Sequence, residues 1–198
     1  MEAFEQFVAL DLEADGLVVS EAIKFPVTRR TRRADRPEVQ THGYEVDLIG
    51  ARSDLLVLAT VKSFFGSRGV HVREVSGAGG NTKAYALLND SIVRDGVVNA
   101  ACEGYGYRPD QLRIRLYVGK FAGSAKADQE AAVREWCSTQ WIGGGPIEVR
   151  SLPDIIEKIR RVSSSTMYRD NAVIVTMKVL SLAGLLTQEV AATVSDDH

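Results

Sequence analysis

Hydrophobic and polar positions follow two different periods along the chain, and each period predicts one kind of element. Apolar residues recur at helical spacing in four segments, which are residues 2–14, a segment from about Lys83, 128–141 and 152–162. Alternating or continuous apolar residues predict strands at 17–27, 44–49, 55–61, 111–118 and 147–150. The helix that begins near Lys83 is expected to carry its apolar face through to Ile92.

A β-hairpin is predicted over residues 43–62. Residues 50–54 supply the turn, and the nearly continuous apolar run of residues 55–61 is typical of a strand that is buried on both faces. Strands that alternate with helices favour an α/β fold. Because an early hairpin argues against an all-parallel sheet, we expect a mixed β-sheet flanked by helices.

Side chains of the predicted hairpin bring polar groups together near its open end. Successive residues of a strand point to opposite faces, so Glu45 and Asp47 are expected on one face, as are Thr60 and Lys62 on the next strand. The turn places Asp47 within one or two residues of the position opposite Leu58. Asp47 and Lys62 are therefore expected to be neighbours at the ends of their strands.

The C-terminal part contains a capped helix and a very apolar one. Ser151-Leu-Pro-Asp154 has the pattern of a capping box with proline in the first turn. A later helix over residues 171–183 is apolar on nearly every side, so it must be buried, either on this domain or against the same helix of a second subunit. We therefore expect a core of residues 1–162, followed by a helical extension and a disordered tail over 163–198, with a homodimer as one use of helix 171–183.

Composition narrows the class of protein. The chain has 45% hydrophobic and 25% charged residues, which is ordinary for a soluble globular protein. Its formal net charge of −2 excludes a global basic field, so any affinity for nucleic acid has to come from local clusters. Cys102 and Cys137 have no metal-binding spacing. Since no segment is apolar for long enough to cross a bilayer, and the acidic N-terminus does not resemble a signal peptide, we expect a cytoplasmic protein without a membrane partner.

Asp47 and Lys62 carry the candidate chemistry, because a carboxylate beside a lysine at the end of a buried sheet suits a hydrated Mg²⁺ ion and a phosphodiester. The segments GYEVDLIG (43–50) and LLVLATVKS (55–63) resemble the motif of the PD-(D/E)xK nuclease superfamily. This superfamily includes restriction endonucleases, archaeal Holliday-junction resolvases and Mrr-like nucleases. Its pattern is an acidic residue on one strand, followed by an (Asp/Glu)-x-Lys triplet on the next.

The resemblance implies a restriction-endonuclease-like fold and hydrolysis of DNA phosphodiesters with Mg²⁺ or Mn²⁺. By this resemblance, Asp47 and Glu5 bind the metal together with the backbone carbonyl of Val61. Lys62 orients the attacking water or stabilises charge on the phosphate. Glu5 is included because these nucleases often begin with a helix whose glutamate reaches the metal site.

Thr60 departs from the pattern, since the second acidic residue of the superfamily should stand at this position. Threonine offers a hydroxyl but no charge, and Mg²⁺ needs negative charge to hold it. A rescuing carboxylate would have to come from Glu5, Glu21 or Glu45. The alternative is therefore a catalytically decayed module that binds DNA without cleaving it, and a protein–protein or regulatory domain is a third hypothesis.

Two polar segments beside the motif strands are candidates for contacts with DNA, because arginine suits bidentate binding of phosphate. The residues in question are Arg29, Arg30, Arg32, Arg33, Arg36, Ser67 and Arg68. Each segment also has an ordinary structural interpretation, as a solvated loop in the first case and a loop closed by packed phenylalanines in the second. Asp47 also has an ordinary structural interpretation, as an acidic residue at a strand end that pairs with Arg52.

Overall fold

The computed structural model describes residues 2–30, 39–123, 128–165 and 170–186. Its strands are β1 (Val18–Arg30), β2 (Val39–Arg52), β3 (Leu55–Lys62), β4 (Leu112–Val118), β5 (Trp141–Ile142), β6 (Gly145–Pro146) and β7 (Glu148–Ser151). Five of them form one sheet in the order β1-β2-β3-β4-β7. The β1–β2 and β2–β3 pairs are antiparallel, whereas β4 runs parallel to both β3 and β7. The predicted mixed sheet is confirmed.

Helices cover both faces of this sheet. They are α1 (Ala3–Ala14), α2 (Val72–Val75), α3 (Ala86–Asn89), α4 (Ser91–Tyr105), α5 (Gln129–Thr139), α6 (Leu152–Ser163) and α7 (Ala172–Leu182). Buried side chains from α2, α3, α4 and α5 pack on one face and form what we name the first core. Buried side chains from α1, α6 and α7 pack on the other face and form the second core.

Strand β3 lies between the two cores, as its apolar run predicts. Leu56 and Leu58 belong to the first core, and Val57 and Ala59 belong to the second. All four side chains are inaccessible to solvent. Because a buried leucine contributes transfer energy and fills space that cannot collapse, replacing Leu58 by alanine should cost about 2–5 kcal/mol of stability.

Helix α6 begins directly after β7 with the predicted capping box. The Asp154 N–H donates to the Ser151 hydroxyl at 3.5 Å, and the Ser151 N–H donates to the Asp154 carboxylate at 2.9 Å. This reciprocal pair satisfies two N–H groups that the first helical turn cannot use. It fixes the point at which the chain leaves the sheet edge.

The prediction of one continuous helix from about Lys83 through Ile92 is wrong. Residues Thr82–Tyr85 form a 3₁₀ turn, followed by the short α3 and then by α4. The Asp90 side chain accepts the N–H groups of Ile92 and Val93, so it caps a new helix at this point. Ile92 is consequently exposed, because the apolar spacing runs across a break between two helices.

The β1–β2 pair extends beyond the rest of the sheet as an arm. Its pairing continues from Val18–Ala51 to Arg30–Val39, whereas the β2–β3 ladder ends at the Leu48–Ala59 pair. Helix α4 supports this arm closely, since a Cβ on Gly96 would lie 3.1 Å from Val27 Cγ1. β1 and β2 therefore diverge from β3 near Asp47 while remaining attached to α4.

Helix α7 packs on its own domain. Val173, Ile174 and Met177 are buried in the second core, whereas Val179 and Leu182 are exposed. Within the described ranges, no helix is both long and apolar enough to cross a lipid bilayer. The tail that was expected after this helix lies, from residue 187 onward, outside the described residues.

Candidate functional site

Asp47 lies at the fork where β2 leaves β3, and three consecutive residues of β3 contact one oxygen of its carboxylate. The Val61 N–H donates to Asp47 Oδ2 at 2.6 Å, and the Thr60 hydroxyl donates to the same oxygen at 3.2 Å. Lys62 Nζ lies 3.7 Å from it. The carboxylate thus accepts an N–H of β3 beyond the last residue pair of the ladder.

The structure brings Asp47 and Lys62 together at the end of β3. Continuing the β2–β3 register places Asp47 opposite Thr60, two residues from Leu58. The side chain of Lys62 is 16% exposed and that of Asp47 is 27% exposed. The pair therefore remains partly accessible to solvent.

The regular alternation of the arm is interrupted beside Asp47. Ala22 is the residue across from Asp47, and its φ of 53° lies in the left-handed region that residues with a side chain rarely adopt. Val19, before this point, packs against the second core, whereas Ile23, after it, packs against the first. The strand therefore changes the face that it buries.

Glu45 is affected by this interruption. Its neighbour Val46 is buried in the first core, so Glu45 points away from that core and pairs with Lys24 at 3.6 Å. Asp47, by contrast, contacts Thr60 and lies beside Lys62. The expectation that Glu45 and Asp47 share one face is wrong, because it assumes an unbroken strand.

Two tyrosines lie near the Asp47–Lys62 pair, on the face of the sheet that carries the first core. The ammonium group of Lys62 lies 5.9 Å from the centroid of the Tyr85 ring. Tyr85 is buried, and its hydroxyl has no hydrogen-bond partner among the described residues. The Tyr44 hydroxyl accepts the N–H of Leu87 at 3.2 Å. Burial raises the pKa of Tyr44 above its ordinary value, and the negative charge of Asp47 adds to the shift.

Glu5 lies in the first turn of α1, which approaches the loop after β3. The Phe4 and Phe65 rings are in edge-to-face contact with centroids 5.3 Å apart. Glu5 Oε2 accepts the N–H of Glu2 at 2.7 Å and so completes a capping box on its own helix. The carboxylate is thus turned back to the start of α1.

Protein donors already engage one carboxylate oxygen of Asp47, the residue that the resemblance assigns to Mg²⁺ or Mn²⁺. These ions bind oxygen atoms that offer free lone pairs, preferably charged ones. Asp47 Oδ2 accepts two hydrogen bonds, one from the Thr60 hydroxyl and one from the Val61 N–H. Among the described residues, no group of three or more His, Cys, Asp or Glu side chains could hold a metal ion.

The loops that follow β3 and β4 form a basic edge next to Lys62. Residues 63–70 and 119–123 contain Arg68 and Lys120 but no acidic residue. Lys120 Nζ donates to the Ser67 carbonyl at 2.9 Å, which connects the two loops. The Ser67 hydroxyl itself donates weakly to the Phe64 carbonyl at 3.4 Å, and Arg68 is exposed. We name Lys62, Arg68 and Lys120 together the basic edge.

Lys120 was not among the residues predicted from sequence, although a signal for it exists. Lys120 lies two residues after the end of β4, and parallel neighbouring strands present their C-terminal ends at the same edge of a sheet. A lysine two residues beyond the end of a strand parallel to β3 could therefore have been placed near Lys62.

The predicted arginine segment is described only in part. Arg29 forms a salt bridge with Asp90, the residue that caps α4, and Arg30 is exposed at the end of β1. Arg32, Arg33 and Arg36 lie outside the described residues. The expected partner of Asp47, Arg52, instead pairs with Asp54 at 2.8 Å.

A second polar cluster lies on the opposite face of the sheet, among α1, β4, β7 and α6. It consists of Asp11, Asp15, Arg115, Tyr117, Glu148 and Lys158, and we name it the buried network. Arg115 contacts Asp15 and Glu148 at 2.7 Å each. Lys158 contacts Asp15 at 2.7 Å and Asp11 at 3.3 Å. The Tyr117 hydroxyl donates to Asp11 at 2.8 Å.

Charge pairing lowers the pKa of Asp15, the carboxylate that contacts both cations of this network. Burial acts to raise the pKa of Asp15, but hydrogen bonds from Lys158 and Arg115 outweigh it, so the pKa lies below its ordinary value. Sequence reasoning missed the network, because Asp15 and Arg115 are far apart along the chain. The available signal was Arg115 within the apolar strand β4, since a buried arginine requires a carboxylate partner.

Comparison with known proteins does not identify a family. No protein-family model and no curated protein matches the chain. One solved structure with some similarity is that of AF1548, described as a protein of unknown function. It shares 16% identity over 92% of this chain and 78% of that chain, with a TM-score of 0.34, and a similarity of this size carries no argument about function.

Proposed function

We propose that this protein is a nucleic-acid-binding domain that contacts backbone phosphates through its basic edge and does not hydrolyse them. The observation that carries the proposal is the set of donors on Asp47 Oδ2, which come from Thr60 and Val61 with Lys62 beside them. A second metal-binding acid is expected in the nuclease motif at position 60. A hydroxyl there that donates to Asp47 supports a binding role rather than a metal-dependent one.

Phosphate binding is supported by the local balance of charge. The chain carries a formal net charge of −2, so attraction has to arise from the cations at this edge. These are Arg68 and Lys120, together with Lys62, whose charge is partly balanced by Asp47 at 3.7 Å. The exposed Arg30 extends the positive charge along the arm toward the rest of the arginine-rich segment. Cations that neutralise phosphates release counterions, so binding of this kind weakens steeply as salt increases.

Metal-dependent cleavage of DNA is the second candidate. The 3.7 Å distance between Lys62 Nζ and Asp47 Oδ2 favours it, because a carboxylate beside a lysine at the end of a buried strand is the pairing that the nuclease motif requires. The resemblance to the PD-(D/E)xK superfamily predicts both candidates, and they differ in the role given to position 60.

One set of assays tests both candidates. Wild-type protein, Asp47→Ala and Lys62→Ala are incubated with plasmid, branched and single-stranded DNA in Mg²⁺ or Mn²⁺, and binding and cleavage are measured separately. We expect salt-sensitive binding without cleavage, weakened in Lys62→Ala. Arg108→Ala is the matched control, because Arg108 is an exposed cation that precedes the opposite end of β4.

The outcomes separate the candidates. Cleavage by wild type that is lost in both Asp47→Ala and Lys62→Ala would replace the binding role by the enzymatic one. A gain of Mg²⁺-dependent cleavage in Thr60→Glu, with none in wild type, would indicate a decayed nuclease site. No binding of wild type to any nucleic acid at low salt would overturn the proposal.

A further inference from the structure

A small cavity opens between the arm and the helices that support it. Its volume is about 270 Å³, and Val27, Tyr44, Ala86 and Val93 form its apolar walls. Arg29 and His42 supply the polar side chains of the lining. Pockets for drug-sized ligands measure about 300–1,000 Å³, so this cavity suits a single planar ring system better than a larger molecule.

Tyr44 connects this cavity to the candidate site. Its ring lines the cavity, and its hydroxyl is fixed by the N–H of Leu87 at 3.2 Å. Leu87 follows Tyr85 by two residues, and the ring of Tyr85 lies 5.9 Å from the Lys62 ammonium group. Tyr44 is therefore linked through Leu87 and Tyr85 to the surroundings of Lys62.

Arg29 gives the cavity a defined polar side. Its guanidinium is held by the salt bridge with Asp90, so its orientation is set by the cap of α4. The next residue, Arg30, is exposed at the end of β1. A phosphate chain that contacts Lys62 and Arg30 would thus have the cavity between its two points of contact.

We propose that the cavity receives one unpaired base of a single-stranded nucleic acid whose phosphates are bound by the basic edge. This inference rests on the proposed function. A base within a duplex must be unstacked and unpaired before it can enter a side pocket, at a cost in free energy, whereas an unpaired base already has a free face and a free edge. The apolar walls accept the face of the ring, and the arginine and histidine donate to its edge. The domain therefore selects single strands over duplexes.

The direct test compares three labelled oligonucleotides of equal length by fluorescence anisotropy with the wild-type protein. They are a single strand with normal bases, the same backbone with abasic sites throughout, and a duplex. We expect the normal single strand to bind about tenfold more tightly than the abasic one, in line with the contribution of one stacked base. This comparison needs no protein variant, so a folding defect cannot obscure it.

A variant then locates the effect. Ala86→Leu fills the cavity, and it should reduce binding of the normal strand to the level of the abasic strand while leaving abasic binding unchanged. Ala131→Leu is the matched control, since Ala131 is exposed on α5 and away from the cavity lining. Thermal melting of both variants checks that they are folded.

The outcomes distinguish failure of the proposed base site from failure of the proposed phosphate binding. Equal binding of normal and abasic strands would overturn the base site but leave phosphate binding intact. A preference for normal bases that survives Ala86→Leu would place the base elsewhere and would also overturn it. Absence of binding to all three oligonucleotides would overturn both the base site and the proposed function.

Discussion

The Asp47–Lys62 pair and the buried network lie on opposite faces of one sheet, and they differ in how many partners their polar groups have. In the network, the side chain of Arg115 is 7% exposed and that of Asp11 only 1%, and each has partners on other elements. The other charged side chains of the network are about as exposed as Lys62 and Asp47, but the Tyr85 hydroxyl near Lys62 makes no hydrogen bond within the described part of the chain.

This contrast indicates a structural role for the network. Buried charges are retained when each has a partner, because an unpaired buried charge is strongly destabilising. The network meets this condition and joins α1 to β4 and α6. The Asp47–Lys62 pair is a single contact at 3.7 Å beside a hydroxyl without a partner in the described residues, so it should contribute less to stability than the network.

The largest effect is expected from breaking the buried network at its centre. Arg115→Met should lower the free energy of unfolding by about 3–5 kcal/mol, because Asp15 and Glu148 lose their shared guanidinium. Urea denaturation followed by circular dichroism measures the change. Lys24→Met is the control, since Lys24 and Glu45 form an exposed pair that should change stability by less than about 1 kcal/mol. Similar values for the two variants would contradict a structural role for the network.

Two buried tyrosines sharpen the comparison. Tyr117→Phe removes the hydroxyl that donates to Asp11, so it should destabilise the protein by about 1–3 kcal/mol. Tyr85→Phe removes a hydroxyl without a partner in the described residues, so stability should stay the same or rise slightly. The same denaturation experiment compares them. Equal destabilisation would mean that Tyr85 has a hydrogen-bond partner and that the two faces are alike.

Local patterns predicted much of this fold. The doubly buried strand β3 follows from the nearly continuous apolar run of residues 55–61, and the capping box follows from Ser151 and Asp154. Both are properties of neighbouring residues. Asp90 shows the limit, because its role as the cap of α4 interrupts a helix that apolar spacing alone continues through Ile92.

The candidate site was predicted less completely, for a physical reason. Hairpin geometry brings Asp47 and Lys62 together, and this depends only on the turn and the register. The change of face at Ala22 and the donation of the Val61 N–H to Asp47 depend on how the arm diverges from β3. Neither is encoded in the spacing of apolar residues, so the relation of Glu45 to Asp47 could not be predicted from alternation.

Acidic pH provides a smaller test of the network. The pKa of Asp15 lies below its ordinary value of 3.8, so its charged form is favoured in the folded state. Its contribution to stability is complete above the unfolded-state pKa and is lost as the pH falls through the folded-state pKa. In Asp15→Asn the decline of stability below about pH 4 should be shallower, as measured by urea denaturation across pH. An unchanged profile would show that Asp15 is not coupled to Arg115 and Lys158.

The salt dependence of binding to single-stranded nucleic acid tests the central claim most directly. Dissociation constants for wild type and Lys62→Met are measured between 50 and about 200 mM salt, with Arg108→Met as the control. We expect the slope of log Kd against log salt to decrease by about one in Lys62→Met and to stay unchanged in Arg108→Met, because one phosphate contact is lost. Identical slopes for wild type and Lys62→Met would contradict phosphate binding at the end of β3.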